Sequence, residues 1–162
     1  NGGAKKARIV KGDYTQFPPA KVSRRLKDGD EIKLGGSVLV ARKTAGHTRG
    51  CTTWTMQVDD NGKKLHAVII GSPNVNPGYI LVGNKTYPEI AADYEQTFAL
   101  LKALPVDLFL GAHGGYYGME AKHKLIGNST SNPFVDPAGY HAYVDDREKA
   151  FRAEWEKQKA RP

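Results

Sequence analysis

The sequence predicts a mixed α/β layer fold, and three observations carry that expectation. The first third holds short β-rich runs separated by Asp-Gly, Gly-Gly and Asn-Gly turns. Helical periodicity begins only after residue 86. A short apolar run then lies between two helical stretches. Strands followed by helix–strand–helix pack most simply as helices laid on a sheet.

The elements follow in order. Residues 22–26 read as a strand before the turn Lys27-Asp28-Gly29-Asp30. Glu31–Leu34 and Ser37–Lys43 read as a hairpin about Gly35-Gly36. Residues 52–58 are β-branched and aromatic, Asp59-Asp60-Asn61-Gly62 is a turn, and 65–70 return as an apolar strand ending at Gly71-Ser72. Thr86-Tyr87-Pro88-Glu89 has the spacing of a capping box with Pro in the first turn. Ile90, Tyr94, Phe98 and Leu101 follow at helical spacing, so 88–104 is expected to be an amphipathic helix that Pro105 ends. A buried strand is expected over 106–110, a loop over Gly111-Ala112-His113-Gly114-Gly115, a short helix over 118–126 and a loop over 127–133. Asp136-Pro137 starts a last helix with Tyr140, Val144, Phe151 and Trp155 on one face.

Composition narrows the function classes. With 40% hydrophobic and 25% charged residues, the 162-residue chain is not mainly disordered. Its length fits one domain or one half of a larger one. No apolar run approaches the roughly 18 residues of a membrane helix. Cys51 is the only cysteine, which excludes a disulfide scaffold and leaves the compartment open. Asn1-Gly2-Gly3-Ala4-Lys5-Lys6 lacks the apolar core of a signal peptide, as expected of a chain that is not exported or is mature or partial. The net charge of +7 is spread through Lys5, Lys6 and Arg8, Lys21 to Lys27, Lys122 and Lys124, and Arg147 to Arg152. Aromatic residues do not interleave with these charges as stacking platforms would, so a solvated basic surface is expected, with no nucleic-acid or membrane partner.

Of the five histidines, His66, His123 and His141 lie in a hairpin strand or on helix surfaces and read as surface residues. His47 and His113 each lie just past an apolar strand in a Gly-flanked loop. Strand ends are where loops converge in layered α/β proteins, glycines let backbone approach closely, and imidazole is a common zinc ligand. A satisfied loop histidine remains the competing reading at both positions.

The local words are more specific. Gly46-His47-Thr48-Arg49-Gly50-Cys51-Thr52-Thr53-Trp54 resembles the GHTPGxTxW motif of metallo-β-lactamases. Gly71-Ser72-Pro73-Asn74-Val75-Asn76-Pro77-Gly78-Tyr79 is similar to the substrate loop of their subclass B3. The helix with its Asp93-Tyr94 pair, Leu110-Gly111-Ala112-His113, and Asn132-Pro133-Phe134-Val135-Asp136-Pro137 match later segments in the same order. The resemblance spans roughly residues 17 to 158.

It implies an α/β fold that is half of a metallo-β-lactamase αββα sandwich, a mixed sheet with helices packed on one face. Residues 1–162 would be the C-terminal part of a single such domain. His47 would join two upstream histidines on one zinc ion, and His113 an upstream Asp and His on a second. The implied reaction is zinc-dependent hydrolysis of the β-lactam amide, with a zinc-activated water attacking the carbonyl. Tyr79 would offer its hydroxyl to the developing oxyanion, or is a packed loop aromatic. Ser72 and Asn74, with Tyr79, would hold the β-lactam substrate, or are plain turn residues. Family members are periplasmic, and the same is expected here.

Departures from the family pattern bound these expectations. The HxHxDH signature that supplies most of the metal ligands is absent, and no His-x-His occurs. Two histidines cannot hold a catalytic zinc pair. The isolated chain is therefore expected to be inactive, with the N-terminal half of the domain as its missing partner and an apolar face left open. Arg49 stands where the motif has Pro, which should loosen the loop. A disulfide found in some B3 enzymes has Val106 and about Gly139 in its places. Cys51 reads as a small residue beneath the loop. Two alternatives stay open. One is another hydrolase of this fold, of thioesterase, lactonase or glyoxalase type, although these usually have an acidic bridging ligand and no Asp or Glu lies between Ile69 and Tyr79. The other is a non-catalytic half-domain that self-associates.

Overall fold

The computed structural model describes residues 21–129 and 131–161. The basic positions Lys5, Lys6 and Arg8 lie outside them, as do the start of the family resemblance and Thr130 in the 127–133 loop. The described chain forms β1 (Glu31–Leu34), β2 (Ser37–Lys43), β3 (Thr52–Asp60), β4 (Lys63–Ile70), α1 (Ile90–Ala103), β5 (Leu108–Gly111), a 3₁₀ turn (Gly114–Tyr116), α2 (Met119–His123) and α3 (Pro137–Lys159). The five strands make one sheet in the order β1-β2-β3-β4-β5. Neighbours are antiparallel except β4 and β5, which are parallel and joined by the α1 crossover.

The register sorts the side chains into two faces. The pairs Ile32↔Leu39, Ala41↔Trp54, Trp54↔Ile69, Met56↔Ala67 and Ile69↔Leu110 lie on one side. Val68, Ile70 and Phe109 point to the other, where they join Tyr94, Phe98 and Leu101 of α1 and Tyr140, Val144 and Phe151 of α3 in the main core. Aromatic rings knit the two helices together: Phe151 stacks on Tyr94 at 5.0 Å and on Trp155 at 5.3 Å, and Tyr140 meets Phe109 edge-on at 5.3 Å. The buried Tyr140 hydroxyl donates to the Leu101 carbonyl, 2.9 Å away. The helices thus pack on one face of a mixed sheet, as expected.

The opposite face is apolar along every strand. Phe134 packs there on Leu65, Ala67 and Leu108. Further along, Ile32 is 40% and Leu34 82% exposed.

Two local expectations fail, each for an identifiable reason. Residues 22–26 form no strand. The Arg24 guanidinium donates to the Glu31 carbonyl (3.0 Å), occupying an acceptor that a pairing strand on the β1 edge could use. Lys27 N–H and Lys43 N–H bond instead to the Asp30 and Asp28 carboxylates at 2.8 and 2.7 Å. The capping box before α1 does not form either. Asn84 Oδ1 takes the Thr86 N–H (3.0 Å), the Thr86 hydroxyl (3.0 Å) and the Tyr87 N–H (2.9 Å), so the N–H that Glu89 would reach back to is already bonded. The helix begins at Ile90, two residues later than its pattern suggests, and Glu89 at the N-cap makes no side-chain bond. The last helix behaves as its sequence says: Asp136 Oδ1 accepts from Gly139 N–H at 2.8 Å with Pro137 at the first position.

Candidate functional site

Because β2 runs parallel to β4, and β4 to β5, the carboxyl ends of these three strands lie at one end of the sheet. The loops that follow them carry the residues singled out from sequence: His47 after β2, Ser72, Asn74 and Tyr79 after β4, and His113 after β5. The loops after β4 and β5 are stitched where they leave the sheet, Ala112 N–H donating to the Ile70 carbonyl at 3.0 Å.

His47 is held from three sides. Gly46 before it has φ +131°, and a Cβ there would fall 2.7 Å from the Tyr94 ring, so only glycine lets the loop lie on α1. The His47 Nδ1 is 2.8 Å from the Asn74 carbonyl. A carbonyl only accepts, so Nδ1 carries the proton of the neutral ring and Nε2 keeps its lone pair free for a metal. The Tyr79 hydroxyl donates to the His47 carbonyl at 2.9 Å, with its ring 5.7 Å from the imidazole. Burial, with the neighbouring Cys51 second, pushes the Tyr79 phenol above its ordinary range, so it stays a neutral donor.

Asn74 is the centre of this cluster. Its carbonyl accepts from both His47 and the buried Tyr94 hydroxyl (2.7 Å), and burial drives that phenol far above its ordinary value. The Asn74 Nδ2 donates to the Tyr116 hydroxyl, and that hydroxyl donates to Ser72 Oγ, both at 3.1 Å. The two loop residues expected to hold substrate are therefore tied to each other through Tyr116. Asn74 Oδ1 is buried without a partner.

Beneath the loop, Gly71 N–H donates to the buried Thr53 hydroxyl at 3.1 Å, and a Cβ on Gly71 would lie 2.7 Å from the Thr52 carbonyl and 2.9 Å from Cys51 Sγ. Cys51 fills the space under the loop as expected. Its thiol donates to the Ser72 carbonyl at 3.4 Å, and burial raises its pKa.

His113 is exposed. Its ring meets the Tyr116 ring edge-on at 5.1 Å. Its carbonyl accepts the Tyr116 N–H at 3.0 Å, which opens the 3₁₀ turn.

Arg49, at the position where the motif has Pro, makes two contacts across its loop. The guanidinium lies 4.6 Å from the Tyr87 ring centroid and 3.6 Å from the Glu89 carboxylate, anchoring the loop to the residues that lead into α1. The other histidines lie at the surface as expected. His66 is half-exposed beside Asp107 (3.3 Å), and His123 and His141 are exposed.

The sequence reading missed Tyr116 and the role of Tyr94. Tyr94 stood out as a core position on a helix and in the family-like Asp93-Tyr94 pair, but not as a partner of Asn74. An aromatic beside Gly114-Gly115 was the available signal for Tyr116, but nothing in the sequence connects it to Ser72.

A metal site tests differently. Among the described residues, no three His, Cys, Asp or Glu side chains come together as a metal-binding group. The free Nε2 of His47 and the exposed His113 suit partial ligand sets. The residues of this chain alone do not complete a catalytic zinc centre.

Comparison with known proteins agrees with the geometry. No family model matches the chain. Among solved structures it is similar to the FEZ-1 metallo-β-lactamase of Legionella gormanii, with 47% identity and a TM-score of 0.87 over 90% of this chain and 55% of that one. BJP-1, a subclass B3 metallo-β-lactamase of Bradyrhizobium japonicum, aligns at 37% identity and TM-score 0.84, over 93% of this chain and 56% of that one. A metallo-β-lactamase of Cronobacter sakazakii aligns at 33% identity and TM-score 0.82, over 93% and 56%. The chain thus spans little more than half the length of these relatives. Its structural neighbours are subclass B3 metallo-β-lactamases, and its fold matches one half of their domain.

Proposed function

We propose that this chain, matching half of a subclass B3 metallo-β-lactamase domain, supplies two zinc-ligating histidines and the substrate loop of a zinc-dependent β-lactam hydrolase. The family it resembles supports a β-lactamase-type hydrolase. The observation that carries the finer reading is the fixed tautomer of His47, whose Nδ1 is spent on the Asn74 carbonyl in the loop offered for substrate. That bond orients a ligand and couples it to the substrate loop in one step.

In the complete domain, His47 and His113 would each join ligands from the other half. Zinc bound there would lower the pKa of water and polarise the lactam carbonyl. The chain's own residues orient the substrate. Ser72 offers a hydroxyl to its carboxylate, and Asn74 shapes the loop. The Tyr79 phenol, neutral and bonded to the His47 carbonyl, would reach the oxyanion only by giving up that bond. The periplasm is the proposed compartment. No helix among the described residues is long and apolar enough to cross a membrane.

The test uses the complete domain, this chain together with a first half carrying HxHxDH. It should hydrolyse a chromogenic cephalosporin, lose that activity on chelation and regain it with zinc. Turnover that survives metal removal would falsify the mechanism. A lactone or thioester hydrolysed in preference to every β-lactam would favour the thioesterase-type alternative. The isolated chain should show no turnover.

The exposed apolar face also favours a second reading for the chain by itself, self-association through Ile32, Leu34 and their neighbours.

A further inference from the structure

We infer that Tyr116 is a positioning residue of this site, holding Ser72 so that its hydroxyl hydrogen is free to donate to a substrate carboxylate; the inference rests on the hydrolase reading above. A serine hydroxyl has one hydrogen and accepts through its oxygen. The Tyr116 hydroxyl donates to Ser72 Oγ at 3.1 Å, so that oxygen is the acceptor and its own hydrogen is left for another partner. Asn74 Nδ2 donates to the same phenol oxygen at 3.1 Å, so the phenol accepts from one loop residue and donates to the other. The chain Asn74 to Tyr116 to Ser72 therefore runs in one direction and ends on a free donor. Such a donor suits an anion better than a serine bonded back into its own loop.

Tyr116 also bridges two loops. Its ring is edge-on to His113 at 5.1 Å and stacked on Tyr143 of α3 at 5.1 Å. A Cβ on Gly111 would come within 3.2 Å of that ring, so the strand end is shaped to admit it. The group that presents the carboxylate donor is thus fixed against the loop that presents His113.

The discriminating variant is Tyr116→Phe, which keeps the ring and removes only the hydroxyl. In the complete zinc-loaded domain, KM for a penicillin should rise about tenfold, the order expected when one hydrogen bond to a charged group is lost. The value of kcat should stay within about twofold, since the reacting carbonyl is not touched. The methyl ester of the same penicillin, which has no carboxylate charge, should be hydrolysed equally by both proteins. An unchanged KM for the acid overturns the inference, and so does an equal loss for acid and ester, which would mark a general structural role. If the parent domain turns over no β-lactam, the hydrolase reading fails separately. Amide exchange across residues 72–79 then decides: faster exchange confined to that loop in Tyr116→Phe supports the positioning role, and unchanged exchange overturns it.

Discussion

At the scale of single residues, the loop after β2 depends on one missing methyl group. Gly46 combines a φ of +131° with a position where an added Cβ would lie 2.7 Å from the Tyr94 ring. Gly46→Ala adds backbone strain of about 1–3 kcal/mol, and the new methyl has only the ring to push against. The melting temperature should fall by several degrees, and zinc affinity of the complete domain should fall with it, because His47 is the next residue. A variant with parent stability and parent zinc binding would show that the loop does not need this glycine. The histidines make a separate prediction. His47→Ala and His113→Ala in the complete domain should each cut bound zinc, measured by metal analysis after dialysis, while leaving the melting temperature of the metal-free protein nearly unchanged. If neither substitution lowers zinc content, they are satisfied loop histidines. These two were visible in the sequence because strand-end position and flanking glycines single them out. Their supporting bonds were not. The Asn74 carbonyl that fixes the His47 tautomer lies 27 residues away, and no local pattern encodes which backbone oxygen will face a side chain.

At the scale of elements, legibility followed the strength of local signals. The strands with Gly-Gly and Asn-Gly turns, the helix beginning at Asp136-Pro137 and the parallel strand after Pro105 all lie where pattern and turn chemistry agree. The failures came where two local signals competed. Asn84 outbid Glu89 for the Thr86 region, and a charged side chain displaced a strand at the β1 edge. The start of α3 offers a pH test. The Lys122 ammonium, 2.7 Å from the Asp136 carboxylate, is the main cause that holds that carboxyl below its ordinary value of 3.8. A carboxyl lowered by folding adds stability that is present above the unfolded value and lost as pH falls through the folded one. Asp136→Asn preserves a good N-cap but removes the charge, so it isolates the ion pair. Urea unfolding at pH 7 should show a loss of about 0.5–1 kcal/mol, modest because the pair is partly exposed. The difference between variant and parent should shrink below about pH 4, where the parent carboxyl itself becomes protonated. A difference that persists undiminished at pH 3 would assign the effect to packing instead of charge. The aromatic seam makes a larger demand: Phe151→Ala opens a void beside Tyr94, Phe98 and Trp155 and should cost about 3–5 kcal/mol by chemical denaturation.

At the scale of the molecule, the sheet formed by the described residues has one face covered by helices and one partly open. On the helix side, Val68, Ile70 and Phe109 are fully enclosed. On the other, Leu34 stays 82% and Ile32 40% exposed although the strand register lines them up with Trp54 and Ile69. Apolar rows of this extent in a two-layer fold call for a second sheet, and this chain spans little more than half the length of its solved relatives. Sequence periodicity shows that such strands are half-buried or fully apolar, but it does not show which layer covers them. On the proposed function, the same first half would bring further ligands to join His47 and His113, so one partner would complete both the hydrophobic core and the metal centre. This coupling gives a prediction with two independent readouts. Alone, the chain should bind a hydrophobic dye and sediment as concentration-dependent oligomers, and Leu34→Lys should weaken both behaviours. Added first half carrying HxHxDH should displace the dye and, in the same titration and at the same stoichiometry, bring up chelator-sensitive β-lactam turnover. Dye displacement without turnover would mean that the face is filled but the metal ligands are misaligned, limiting the chain to a scaffold. Turnover with no loss of dye binding would mean that the halves meet elsewhere, and the open face would then belong to self-association.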